Sequence, residues 1–177
     1  TLHFPLSTAF SMTHAVSGLG MTSQRTRTRM IERLRSEGIR NERVLAAIAA
    51  VPRHLFVEEA LASRAYEDSA LPLGFAQTIS QPYVVAHMIE ILLEGRKLGK
   101  TLEVGAGSGY QAAVLAQLTP EVYAVERIEP LLARAKLNLR AIREFRVRLK
   151  YADGALGLPE AAPFDTIILA AAATHVP

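Results

Sequence analysis

The sequence predicts an α/β fold, a doubly wound and mostly parallel sheet preceded by an N-terminal helical subregion. Three observations carry this. From residue 101 onward, short apolar runs alternate with helix-period segments, the pattern of successive βαβ units and a parallel sheet. Before residue 100, apolar positions recur at helical spacing between Gly and Pro punctuation. At the junction, LEVGAGSGY (102–110) turns a strand into a helix through three alternating glycines.

In the N-terminal part, residues 23–37 read as one helix, with Met30, Ile31 and Leu34 on its apolar side and Gly38 just past its last turn. Asn41 caps a second, Ala-rich helix that stops before Pro52. VPRHLFV (51–57) follows, then a short helix through Ala60 and Ala62. Residues 66–81 lose periodicity and read as a loop or extended segment, the kind of element that often carries function. Pro82 opens a third helix, closed by Gly95. Strands are then expected at 101–104, 121–126, 146–151 and 166–169, with helices at 110–118 and 130–142.

Composition narrows the classes. The 177 residues fit one domain with a substantial core, and half of them are hydrophobic. With no cysteine, disulfides and thiolate chemistry are excluded, and the composition is compatible with a reducing, cytoplasmic location. The five histidines show no metal-ligand spacing, so no metal is expected, and no apolar run is long enough to span a bilayer. Net charge is +3, with arginines concentrated between Arg25 and Arg43. That cluster reads as the polar side of an amphipathic helix, with nucleic-acid binding as the competing reading.

In such a sheet, ligands bind at the carboxyl ends of the strands. Those ends carry Glu103–Gly109, Glu126, Asp153-Gly154 and the alanines 170–173. Gly105, Gly107 and Gly109 give G-x-G-x-G, not the G-x-G-x-x-G of dinucleotide binding. Glu103 would repel a phosphate but suits a cation or an amino group. Glu126, 21 residues after Gly105, can accept from a ribose diol, and Asp153 can accept from an adenine amino group. Each acid alone also reads as a loop carboxylate or helix cap. After the fourth strand, four alanines and Thr174 provide no general base, which suits a nucleophile already anionic at neutral pH, a carboxylate.

The glycine turn resembles motif I of class I S-adenosylmethionine-dependent methyltransferases. More specifically, VPRHLFV (51–57), AYEDSALPLGFAQTISQP (65–82), LEVGAGSGY, VYAVERIEPL (122–131), ADG (152–154) and FDTIILAAAATHVP (164–177) resemble the protein-L-isoaspartate O-methyltransferase family in order and spacing. The resemblance implies a Rossmann-like fold of the class I methyltransferase type. It also implies methyl transfer from S-adenosylmethionine, leaving S-adenosylhomocysteine, to the free α-carboxylate of isoaspartyl residues in damaged proteins. Ser80 then matches the active-site serine, and Thr78 and Ile79 line the cofactor and substrate pocket. Glu103, Gly105, Ala106, Gly107 and Gly109 match the methionine-moiety site, Glu126 the ribose contact, and Asp153 and Gly154 the adenine contact. From residue pattern alone, Ser80 reads first as an N-terminal cap for the helix opened by Pro82, a role compatible with the other. His54 is read as structural.

Residues 1–20 are expected to be an extension, and 21–177 the methyltransferase domain, divided into a helical and active-site part (21–99) and a cofactor part (100–177). The continuously apolar fourth strand reads as interior, so the domain is expected to continue past Pro177. A monomer acting on isoaspartyl proteins and peptides, without nucleic acid or membrane, is expected. The competing functions are a class I methyltransferase with another acceptor, and a non-catalytic RNA- or protein-binding module retaining the fold.

Overall fold

The computed structural model describes residues 23–172; the expectations for residues 1–20, Ala173 and Thr174 lie outside the described residues. The N-terminal part contains α1 (Gln24–Ser36), α2 (Glu42–Ala50), 3-10 turns at Arg53–Phe56 and Glu59–Arg64, a hairpin of β1 (Leu71–Gly74) and β2 (Gln77–Ile79), and α3 (Pro82–Leu92). The α/β part runs β3 (Thr101–Val104), α4 (Tyr110–Ala116), β4 (Val122–Glu126), α5 (Glu129–Ala141), β5 (Val147–Tyr151) and β6 (Thr166–Leu169).

Local chemistry explains the helix ends. Gly38 takes φ +110° after α1, a left-handed conformation costly for any residue with a Cβ. The Asn41 side chain accepts from the Arg43 amide at the start of α2. Two α1 arginines are drawn inward, Arg27 donating to the Ala49 carbonyl and Arg33 to the Tyr66 carbonyl. Arg35 makes a two-pronged surface pair with Glu42, and Arg25 and Arg29 stay exposed. With Met30 and Leu34 fully buried, this is the amphipathic helix expected from the sequence.

Within 66–81 the extended reading resolves into an antiparallel hairpin, with Gly74 paired to Gln77 across a two-residue loop. Phe75 and Ala76 both have positive φ, +55° and +54°. This is the backbone of a tight primed turn, which usually draws on Gly, Asn or Asp. Left-handed backbone costs a non-glycine residue roughly 1–2 kcal/mol, and it persists only where its surroundings hold it. Buried Leu71, Leu73 and Ile79 supply the hold.

The four main strands are parallel in the order β5-β4-β3-β6. The chain moves outward from β3 to β4 and β5, then crosses to the other side of β3. The reversal of strand order, and hence the crevice, lies between β3 and β6. Side-chain alternation divides the residues between the two faces. Glu103, Ala124, Glu126 and Ile168 share the face against which α4, buried over its whole length, is packed. Leu102, Val104, Val125 and Leu158 form a smaller core on the other face. On that second face Ile167 is 49% exposed, so β6 is covered less completely than its apolar run predicts. Among the described residues, no helix is long and apolar enough to cross a membrane.

Candidate active site

The carboxyl ends of β3, β4 and β6 frame a cleft of about 480 Å³. It is lined by Thr78 from the hairpin, Gly105 and Gly107, Glu126, the 152–155 turn and Ala170–Ala172. A smaller cavity of about 40 Å³ lies deeper, between the hairpin and α4. Ser80, Ile79, Glu103, Ser108, Tyr110 and Gln111 line it, and it shares Thr78, Gly105, Gly107 and Ala170 with the cleft.

The glycine turn owes its shape to two constraints. Gly105, Gly107 and Gly109 all have positive φ. A Cβ on Gly105 would lie 2.7 Å from the Ala171 Cβ, so only glycine lets the β3 and β6 ends approach so closely. Gly109 differs from its expected role. It lines neither cavity, and instead starts α4 and packs against Ala135 of α5, where a Cβ would sit 3.2 Å from the Ala135 Cβ. Ala106 lines the inner cavity.

Electrostatics distinguish the three acids. Glu103 is fully buried and neither carboxylate oxygen has a hydrogen-bond partner. Burial is the largest cause and holds its pKa well above the usual carboxylate range, although the nearby Gln111 amide pulls it down; the charge of Glu126 adds to the rise. Such a group is costly to ionise unless a cation or amine arrives beside it. Glu126 is engaged: Oε2 accepts from the Gly107 amide at 2.9 Å and Oε1 from the Ile128 amide at 2.8 Å. It therefore ties the glycine turn to the end of β4. Each of its oxygens has a second acceptor site, which leaves capacity for a diol. Asp153 is exposed, and its Oδ1 accepts from the Ala155 amide at 3.0 Å, capping a short 3-10 turn. Gly154 is required by packing: a Cβ there would meet the Val104 Cγ1 at 2.2 Å.

The hairpin brings Thr78, Ile79 and Ser80 to the other wall. Ser80 makes no cap. The N-cap position of α3 is Gln81, and the Tyr83 amide is met by Asp68 Oδ1 at 2.8 Å. The local reading of Ser80 as a cap is thus overturned by a carboxylate from 15 residues before Tyr83, and Ser80 is instead among the residues that line the smaller cavity. His54 is held by Tyr66, its Nδ1 2.7 Å from the phenol oxygen, and burial lowers its pKa. It lines neither cavity.

Sequence reasoning missed Arg53, Tyr110, Ser108 and Gln111. Arg53 is fully buried, donates to the carbonyls of Ala65 and Ser80, and lies 4.7 Å from the Tyr110 ring centroid. The available signal was a lone arginine within an apolar run, VPRHLFV.

The family model for protein-L-isoaspartate(D-aspartate) O-methyltransferase (PCMT) matches residues 25–177. The chain belongs to this family. Among curated relatives of that name, the protein-L-isoaspartate O-methyltransferase of Dechloromonas aromatica is 76% identical over 161 residues, 90% of this chain and 74% of the relative. That of Methylobacillus flagellatus is 62% identical over 163 residues, 92% and 73% of the two chains. The chain thus spans about three quarters of these relatives. A solved protein-L-isoaspartate O-methyltransferase superposes with a TM-score of 0.72 at 29% identity, over 81% of this chain and 47% of the other. A Plasmodium falciparum protein solved with S-adenosyl-L-homocysteine gives 0.73 at 21% identity, over 85% and 76%, and shows the shared fold. The fold is that of class I methyltransferases.

Proposed function

We propose that the chain is a protein carboxyl O-methyltransferase, taking a methyl group from S-adenosylmethionine to the free α-carboxylate of L-isoaspartyl residues in damaged proteins and peptides. The observation that carries this reading is the inner cavity, where Ser80 and the unpartnered Glu103 carboxylate line the same small space. The names of the close relatives and the family match support the same activity.

The donor set fits the cofactor. Glu103 offers a buried carboxylate to an α-amino group, Glu126 two remaining acceptor sites to a ribose, and Asp153 with Gly154 a rim to an adenine. The close backbone approach at Gly105 keeps the crevice open. When bound, S-adenosylmethionine supplies a methyl group on a sulfonium, transferred by in-line displacement with O–C bond formation and C–S bond cleavage. The chain's own work is positioning and dehydration. Ser80 donates its hydroxyl proton in a hydrogen bond to the acceptor carboxylate and aims it, without taking a proton. Ala170, Ala171 and Ala172 give a small apolar wall. Among the described residues lining the two cavities there is no histidine or lysine, in keeping with an acceptor that needs no deprotonation. The inward use of Arg27 and Arg33, with Arg35 paired to Glu42, leaves fewer free arginines for a nucleic-acid surface.

Ser80→Ala tests the assignment. Turnover on an isoaspartyl peptide is expected to fall roughly 100-fold through lost orientation. Because Ser80 caps nothing, stability should change by no more than about 0.5 kcal/mol. Calorimetric cofactor affinity should be nearly unchanged. Normal turnover in the variant would remove Ser80 from the mechanism.

A further inference from the structure

We propose that Arg53 and Asp68 are positioning residues for methyl transfer, a pair of clamps that fix the Ser80 carbonyl and the start of the helix that follows it. The inference rests on the reading of Ser80 as the residue that orients the acceptor. Ser80 lies between β2 and α3, immediately after a hairpin whose loop residues Phe75 and Ala76 are both left-handed. A segment with that local strain needs fixing from outside. On one side, Arg53 Nη2 donates to the Ser80 carbonyl at 2.7 Å, while Nε donates to the Ala65 carbonyl at 2.8 Å. On the other, Asp68 accepts from the Tyr83 amide through Oδ1 at 2.8 Å and from the Gln81 side-chain amide through Oδ2 at 3.3 Å. The serine's own carbonyl and the two positions Gln81 and Tyr83 that follow it are thus bound to charged groups from two different parts of the chain.

The chemistry of Arg53 argues for a role beyond filling space. It is fully buried, and no carboxylate lies within ion-pair distance of it among the described residues. Burying a guanidinium with no carboxylate in direct contact is expensive even with the charge of Asp68 nearby to favour it, and an apolar residue would fill the volume at lower cost. What an apolar residue cannot do is join three separate segments. The planar fork reaches two carbonyls 15 residues apart in sequence while its face meets Tyr110, itself a wall of the inner cavity. Lysine keeps the charge but has no fork, so it would not hold both carbonyls in the same geometry. Asp68 is only partly buried, and its oxygens are spent on Tyr83 and Gln81. Asparagine would keep the acceptor for the Tyr83 amide and lose the one for Gln81; alanine would lose both.

The test uses the full chain and the variants Asp68→Ala, Asp68→Asn and Arg53→Lys. The readouts are kcat and KM on an isoaspartyl peptide, calorimetric cofactor affinity, and hydrogen exchange of the amides from 79 to 83 without cofactor. Asp68 is the safer substitution because it is not part of the core. Asp68→Ala is expected to lower kcat about tenfold or more through misplacement of the serine. Its cofactor affinity should stay within twofold and exchange in the segment should quicken. Asp68→Asn should recover most of the lost kcat, and Arg53→Lys should repeat the Asp68→Ala pattern. A lower Tm with kcat within twofold would make Asp68 only a helix cap and overturn the proposal. So would faster exchange without loss of turnover. If the unaltered chain does not methylate the peptide at all, the functional reading fails separately. Exchange then decides the clamp: quickening in both Asp68→Ala and Arg53→Lys upholds it, and unchanged exchange refutes it.

Discussion

Glu103→Gln is expected to move stability and cofactor affinity in opposite directions. The Glu103 carboxyl is buried with no hydrogen bond to either oxygen, and its pKa is raised from its ordinary 4.5, chiefly by burial. The folded state therefore holds a proton that the unfolded state has released. The stability contributed by the neutral group is complete below the unfolded pKa and is lost as pH rises through the folded one, by up to about 1.4 kcal/mol per pH unit. Glutamine is neutral throughout, so the variant should gain stability over the parent as pH rises across that window. Cofactor affinity should move the other way. The amino group of the ligand loses a charged acceptor worth roughly 1.5–3 kcal/mol, a loss of about tenfold or more. Chemical unfolding at a series of pH values, with calorimetric titration at neutral pH, measures both. A variant that is less stable at neutral pH, or that binds as tightly as the parent, contradicts the role given to Glu103.

Gly105→Ala is expected to damage both fold and binding. At φ +92° an alanine is strained, at roughly 1–2 kcal/mol. Its Cβ would also lie 2.7 Å from the Ala171 Cβ and 3.2 Å from the Ala171 backbone nitrogen, which cannot move without shifting the end of β6. Overpacking of this kind adds about 1–3 kcal/mol. The shifted wall belongs to the cleft, so cofactor affinity should fall about tenfold or more, the equivalent of roughly 1.4 kcal/mol. Gly38→Ala is the control: φ is +110° there, yet nothing lies within 4 Å of the added carbon. It should show strain alone, with cofactor binding intact. Equal binding in the parent and Gly105→Ala would mean that the close approach of β3 and β6 does not shape the site.

The parts of this structure legible in the sequence are those fixed by local chemistry. The β3 and β6 strands appear at their expected residues because an apolar run bounded by turn residues is a sufficient signal. Glu103 stood out because an acid at the end of an apolar strand needs a reason. What was not legible depends on contacts distant in sequence. The hairpin at 71–79 was hidden because Phe75 and Ala76 occupy positions where a turn normally announces itself with glycine or asparagine. The cap of α3 was misread because Asp68, not the adjacent Ser80, supplies it. Arg53 stood out only as a lone arginine in an apolar run; its two acceptors were hidden, since neither Ala65 nor Ser80 marks its carbonyl as one. Gly109 shares its spacing with two cleft glycines, but packing against α5 sets its role.

The most direct test is transfer of labelled methyl from S-adenosylmethionine to two peptides of identical sequence, one with an isoaspartyl residue and one with aspartate at the same position. The expected result is stoichiometric labelling of the isoaspartyl peptide as a base-labile ester, with little or none on the aspartyl peptide. Equal labelling of both peptides, or cofactor binding with labelling of neither, would contradict the account.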